Sequence, residues 1–166
     1  VLPGEDTKEE VVRKSIASTK KTEQLVCEKF VETVEDEAGA LQKIDFKNTD
    51  TFNFGFDIVD EIAKKYPDKL AMLHLDKNKV ERRFTFNDIK RASNQVANYF
   101  TSLGIKKGDK VMLVLKRHYQ FWFCMLALNK IGAIAIPAPN QLLVHDFEYR
   151  FNAAGVSTVI CTADGD

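Results

Sequence analysis

The sequence predicts an α/β fold: a doubly wound, mostly parallel sheet with helices on both faces, an antiparallel hairpin and an N-terminal helical extension. Three observations carry this. From residue 50 onward the apolar period switches in regular succession between the helical and the extended repeat. Three times a helical pattern closes on a glycine, at Gly104, Gly132 and Gly155, and an apolar strand begins within a few residues. Val111 to Leu115 is a continuous apolar run, the pattern of a strand covered on both faces.

Taken in order, residues 1–50 are polar and helix-prone. Thr7 stands three residues before Glu10 as a capping box, and Leu25, Val26, Phe30, Val31 and Val34 fit one face of a second amphipathic helix. The acidic run Glu35-Asp36-Glu37 and Gly39 close that extension as a solvated loop. In residues 51–166, Asp57 caps a helix carrying Ile58, Val59, Ile62 and Ala63, stopped by Pro67. Leu70–Leu75 and Val80–Phe86 then alternate around Lys77-Asn78 as a hairpin. Thr85 and Asp88 make a capping box for a helix with Ile89, Ala92, Val96, Ala97, Phe100 and Leu103 on one face. After the strand Val111–Leu115 comes a helix, Tyr119–Ile131, apolar nearly all round, then a short strand Ala133–Ile136. A helix marked by Phe147, Phe151 and Ala154 leads to the last strand, Val156–Cys161.

Composition sets the outer limits. At 166 residues and 45% hydrophobic content the chain can bury one sizeable core. Its 24 basic residues balance 24 acidic ones, which removes the global field expected of a nucleic-acid or membrane-surface protein. Cys27, Cys124 and Cys161 are widely spaced and odd in number, which points to a reducing, cytoplasmic setting rather than a disulfide framework or zinc site. No run is long and apolar enough for a membrane span. The start at Val1 without Met, and the end at Asp164-Gly165-Asp166 just after an apolar run, read as a segment of a longer protein.

The residues show no catalytic or metal constellation. The glycines never take the spacing of a dinucleotide fingerprint or phosphate loop, and His74, His118 and His145 are too scattered for a metal pair. Two places sit beyond the carboxyl ends of predicted parallel strands, where open sheets bind ligands. Lys116-Arg117-His118 follows Leu115, either as cations meeting a phosphate or carboxylate or as a solvated loop. Pro137-Ala138-Pro139-Asn140-Gln141 follows Ile136, either as a rigid presenter of two amides or as a proline-stiffened turn. Phe121, Trp122 and Phe123 read as core packing, and Lys77, Lys79, Arg82 and Arg83 as edge protection on the hairpin.

The order of segments resembles that of the adenylate-forming (AMP-binding) acyl-CoA synthetases. Arg83-Phe84-Thr85-Phe86-Asn87-Asp88-Ile89 is similar to their early core motif. Leu103-Gly104-Ile105-Lys106-Lys107-Gly108-Asp109-Lys110-Val111 and Lys130-Ile131-Gly132-Ala133-Ile134-Ala135-Ile136-Pro137 resemble two further motifs at the right intervals. Asn53-Phe54-Gly55-Phe56-Asp57-Ile58-Val59-Asp60 and the Phe-Trp-Phe helix look like the acetyl and medium-chain types. The resemblance covers residues 50–166.

What it implies is that residues 51–166 are the first part of a large N-terminal domain. The parent enzyme would convert a carboxylate, ATP and coenzyme A, with Mg2+, into acyl-CoA, AMP and pyrophosphate through an acyl adenylate. The phosphate loop, magnesium glutamate and mobile lysine domain of the family would lie downstream, so this chain alone is expected to be an inactive scaffold that binds no cofactor tightly. Gln141 resembles a position where medium-chain synthetases contact coenzyme A; Arg117, from its place after the strand ending at Leu115, is a second cofactor-binding candidate. A stand-alone flavodoxin-like binding domain and a protein-interaction module remain alternatives. A sheet edge left uncovered is expected to drive self-association.

Overall fold

A computed structural model describes residues 26–163 of the chain, without a description of the Cys27 side chain. The described residues form two units, one up to Asp45 and one from Phe46 onward. In the first, a 3-10 turn at Val26–Lys29 precedes β1 (Val31–Glu35) and β2 (Leu41–Phe46), which pair as a two-stranded sheet. The second amphipathic helix, expected on Leu25, Val26, Phe30, Val31 and Val34, is therefore corrected over its described part. Three of the five residues in Val31-Glu32-Thr33-Val34-Glu35 are β-branched, a composition that suits a pleated strand better than a helix. Asp36 closes the turn, its carboxylate accepting the amides of Ala38 (3.0 Å) and Ala40 (2.8 Å), while Gly39 supplies a φ of 79°. The capping box expected at Thr7 and Glu10 lies outside the described residues.

The second unit opens with a π-helical turn, Phe54–Asp60, running into α1 (Glu61–Lys65). Its cap is Asn53 and not Asp57. The Asn53 side chain accepts the Phe56 amide, and the Asp57 carboxylate reaches back to the Asn53 amide at 2.7 Å. The chain leaves α1 at Tyr66, just before Pro67, where a following proline disfavours helical backbone. β3 (Leu70–Leu75) and β4 (Glu81–Thr85) form the expected antiparallel hairpin, with Met72 opposite Phe84 and His74 opposite Arg82.

Thr85 and Asp88 then make the reciprocal capping box of α2 (Phe86–Ser102). α2 buries Ile89, Ala97 and Phe100 along one face, a spacing that follows the helical repeat.

β5 (Lys110–Val114), α3 (Gln120–Ile131), β6 (Ile134–Pro137), α4 (Val144–Ala154) and β7 (Thr158–Cys161) complete the unit. The parallel sheet has the order β6-β5-β7, pairing Val111 with Ala135 on one side and with Thr158 on the other. Going from β5 to β6 and then across to β7 reverses direction in the sheet, so right-handed crossovers place α3 and α4 on opposite faces. Val111, Met112 and Leu113 of the central strand are fully buried, as the unbroken apolar run requires. Val111, Leu113 and Leu115 pack with Ala97, Phe100, Cys124 and Leu128, so one face of β5 meets α2 and α3. Trp122 is corrected as a core residue: it is 55% exposed whereas Phe123 is buried, because consecutive helical residues do not share a face.

One charged side chain ties these helices together. Lys130, near the end of α3, has a side chain only 1% exposed. Its ammonium donates to Asp60 Oδ1 (2.8 Å), Ser93 Oγ (2.9 Å) and Asn94 Oδ1 (2.7 Å), so all three protons have partners. Those acceptors belong to the π turn and α2. Alongside, Asn53 Nδ2 donates to the Asn129 carbonyl at 2.7 Å. Gly55 is needed here because a Cβ would stand 2.7 Å from Lys130 Cγ.

Removing the cation leaves Asp60 buried without its partner, so Lys130→Met is expected to cost about 3–5 kcal/mol, read from urea unfolding. A loss below about 1 kcal/mol would show that the contact adds little. Acid supplies a second test. The Thr85 backbone amide, followed by its hydroxyl, holds the Asp88 carboxyl below its usual range. A lowered folded value means that the stabilisation is present above the unfolded value and is lost as pH falls through the folded one, below about pH 4. Asp88→Asn is expected to flatten the fall in thermal midpoint between pH 5 and 3 relative to the parent; an equally steep fall would refute the assignment.

Candidate functional site

The carboxyl ends of β5 and β6 open onto a cleft of about 930 Å3, closed on its other side by the β3–β4 hairpin. The register of the hairpin explains its approach. Met72 and Phe84 share a face that packs against the buried cluster of Val59, Ile89, Phe123 and Leu126. Two residues further along the same face stand His74 and Arg82, past the core and over the loop that leaves β5. Tyr119 completes the junction: its ring lies 5.3 Å from His74 edge-on and 5.0 Å from Phe84, centroid to centroid.

The polar contacts fix this geometry. His74 Nε2 lies 3.1 Å from the Arg117 carbonyl, which as an acceptor calls for the tautomer protonated at Nε2. Nδ1 is buried without a hydrogen-bond partner. Arg82 donates to the Tyr119 hydroxyl at 3.2 Å, and its guanidinium carbon sits 5.4 Å from the Tyr119 ring centroid. Lys116 adopts a φ of 24°, a conformation that residues with a side chain seldom take, at the turn where β5 gives way to the loop.

The cleft is basic. Lys77, Arg82, Lys116 and Arg117 line it together with His74 and His118, against the single carboxylate of Asp76. That carboxylate accepts the amides of Val80 (2.9 Å) and Asn78 (2.8 Å). The Val80 amide, then that of Asn78, and beyond them the charge of Arg82 hold it below its usual range. Of the residues expected from sequence, Arg117 lines the cleft, as do Lys116, His118, Ala138, Pro139 and Asn140. Gln141 is exposed at the turn one residue further on and is outside the lining. His74, Arg82 and Tyr119 were not expected here. Strict alternation in the hairpin pairs His74 with Arg82, but nothing local says that this face continues onto a loop 40 residues later.

Comparison with known proteins places this arrangement in a family. Residues 59–166 match the family described as AMP-binding enzyme. The chain belongs to that family. It is 36% identical over 104 residues to the crotonobetaine/carnitine–CoA ligase of Salmonella paratyphi A, an alignment spanning 63% of this chain and 20% of that protein. The chain thus spans about a fifth of the length of the curated relatives it matches. Among solved structures it superposes on a Mycobacterium tuberculosis fatty acyl CoA synthetase with a TM-score of 0.61 and 26% identity, covering 68% of this chain and 22% of that one. It also superposes on the N-terminal subdomain of Klebsiella oxytoca NpsA bound to 3-hydroxyanthranilyl-AMSN (TM-score 0.58, 28% identity, 63% and 26% covered). The AMP-binding match replaces the flavodoxin-like alternative. No helix among the described residues is long and apolar enough to cross a membrane.

Because Arg82 contributes to the lowering of Asp76, Arg82→Ala is expected to raise the Asp76 carboxyl pKa, followed by carboxyl-carbon NMR. An unchanged titration would mean that the guanidinium does not face the turn.

Proposed function

We propose that this chain is the scaffold part of an ATP-dependent acid–thiol ligase acting on acetate or a medium-chain carboxylate. The observation that carries the reading is the AMP-binding match over residues 59–166, together with 36% identity to a CoA ligase. The acetyl or medium-chain class is supported by the Asn53–Asp60 segment and by Phe121-Trp122-Phe123. In the first step a carboxylate oxygen attacks the α-phosphorus of ATP and pyrophosphate leaves, giving an acyl adenylate. In the second the coenzyme A thiolate attacks the acyl carbon and AMP departs. Converting the carboxylate into an adenylate replaces a poor leaving group by a good one.

This chain's own part in that chemistry is positional. The parallel sheet holds the loops after β5 and β6 at one end, and Arg117 and Gln141 lie on those loops. We assign both to the coenzyme A side of the reaction. Among the described residues no group of three His, Cys, Asp or Glu is placed to hold a metal ion by protein ligands alone. The sequence has no glycine-rich phosphate loop either, which supports the view that the chain alone does not turn over. The spaced, unpaired Cys124 and Cys161 support a cytoplasmic setting.

A polypeptide extended to the length of the relatives is expected to catalyse carboxylate-dependent exchange between pyrophosphate and ATP and to form acyl-CoA, while residues 1–166 do neither. Arg117→Ala and Gln141→Ala in that longer chain are expected to raise KM for coenzyme A about tenfold and leave the exchange within about twofold. Absence of exchange with every carboxylate tried would sink the ligase reading. Loss of exchange in the variants would move both residues to the adenylation step.

A further inference from the structure

We propose that the cleft between the β3–β4 hairpin and the loops after β5 and β6 is a binding site for a phosphate group, with Arg82 and Arg117 as its principal donors. The ligase reading is used only to name natural sources of that phosphate, namely coenzyme A or released pyrophosphate; the site itself rests on the geometry.

Four independent features meet there. First, the chain is neutral overall, yet this cleft gathers four cationic side chains against one carboxylate, a local excess that concentrates anions between low-dielectric walls. Second, the one carboxylate is already engaged by two backbone amides, both donating to its Oδ1 within the hairpin turn. Third, the guanidinium of Arg82 is held by the hydroxyl and ring of Tyr119. A long cationic side chain so anchored loses less freedom on meeting a phosphate, whose geometry suits a planar fork. Fourth, the backbone opposite is fixed where an anion would approach. His74 holds the Arg117 carbonyl, Lys116 takes a left-handed conformation, and α3 starts at Gln120 without a side-chain cap, its amino end at the cleft.

The structure also says what the site would not do. His74 is not free to act as a general base there, since its Nε2 is committed to a carbonyl and its Nδ1 is buried. The role proposed for the site is to bind and steer a phosphorylated ligand. Its position at the carboxyl end of a parallel sheet is where ligands meet open α/β folds.

The test is calorimetric titration of the 166-residue chain at low salt with three probes: inorganic pyrophosphate, coenzyme A and dephospho-coenzyme A. Arg82→Ala and, separately, Arg117→Ala are expected to weaken binding about tenfold each, since each removes a charge-assisted contact. Arg83→Ala is the control. It removes the same charge from the same hairpin, but Arg83 pairs with Glu81 and does not line the cleft, so binding should stay within about twofold. Arg82→Lys, which keeps the charge without the fork, guards against a folding defect and should fall between the parent and Arg82→Ala. Coenzyme A binding well above dephospho-coenzyme A would identify the 3′-phosphate as the group held; equal binding of pyrophosphate would identify the diphosphate. Either supports the site. No binding of any probe, or equal weakening by Arg82→Ala and Arg83→Ala, would overturn it. Binding here with no acyl-CoA formed by the longer polypeptide would leave the cleft standing and reject the ligase reading.

Discussion

The second unit depends on a buried ammonium. Lys130 is out of water, and a cation in that position is tolerable only if every proton is matched. Asp60, Ser93 and Asn94 provide that match from two other segments, so the π turn with α1, then α2, and finally α3 are held in one arrangement by a single side chain. The contact is directional where apolar packing is not. Leu126 or Leu128 could slide by a fraction of a turn and stay buried, whereas the three hydrogen bonds of Lys130 are satisfied in one register only. Gly55 belongs to the same arrangement, since its missing Cβ leaves the room that the lysine stem occupies.

Position of the cleft follows from that arrangement. α3 begins at the cleft and ends at the ammonium, with Tyr119 and Gln120 at one end and Lys130 at the other. Fixing the far end of α3 against α2 and the π turn fixes the near end against the β3–β4 hairpin, whose Phe84 packs on Phe123 and Tyr119. β5 contributes the other constraint. Its residues 111–113 are fully buried, so the cations that follow emerge abruptly from an apolar strand and stay together at its end. Basic residues that look dispersed in sequence, at 77, 82, 116 and 117, become one surface because a hairpin and a strand end share a core.

Much of this was legible without coordinates. The capping box at Thr85 and Asp88, the glycines that end α2, α3 and α4, and the unbroken run of β5 are local signals, and each element stands where those signals put it. Errors arose where competing periods overlap. Leu25 to Val34 fits a helical stripe, but its β-branched residues favour the pleat found at β1, and Asp57 lies close enough to Asn53 for either to serve as a cap. The consecutive aromatics of α3 cannot all face inward, which periodicity alone would have shown for Trp122. Lys130 is a different case. A lysine in the last turn of a helix reads as solvent-exposed and complementary to the helix dipole, and its burial follows only from acceptors 36 to 70 residues away. Likewise Arg117 could be placed at a strand end from sequence, while the hairpin that faces it could not.

Native-state hydrogen exchange on Lys130→Met tests the organising role of this contact most directly, because it reads each segment separately. If the ammonium unites the three segments, the amides of α1, α2 and α3 should lose protection together, and those following Tyr119 at the cleft should lose it as much as those beside residue 130. A loss of protection confined to the turn of helix around position 130, with α2 and the start of α3 unchanged, would show that apolar packing alone sets the arrangement and would contradict the account.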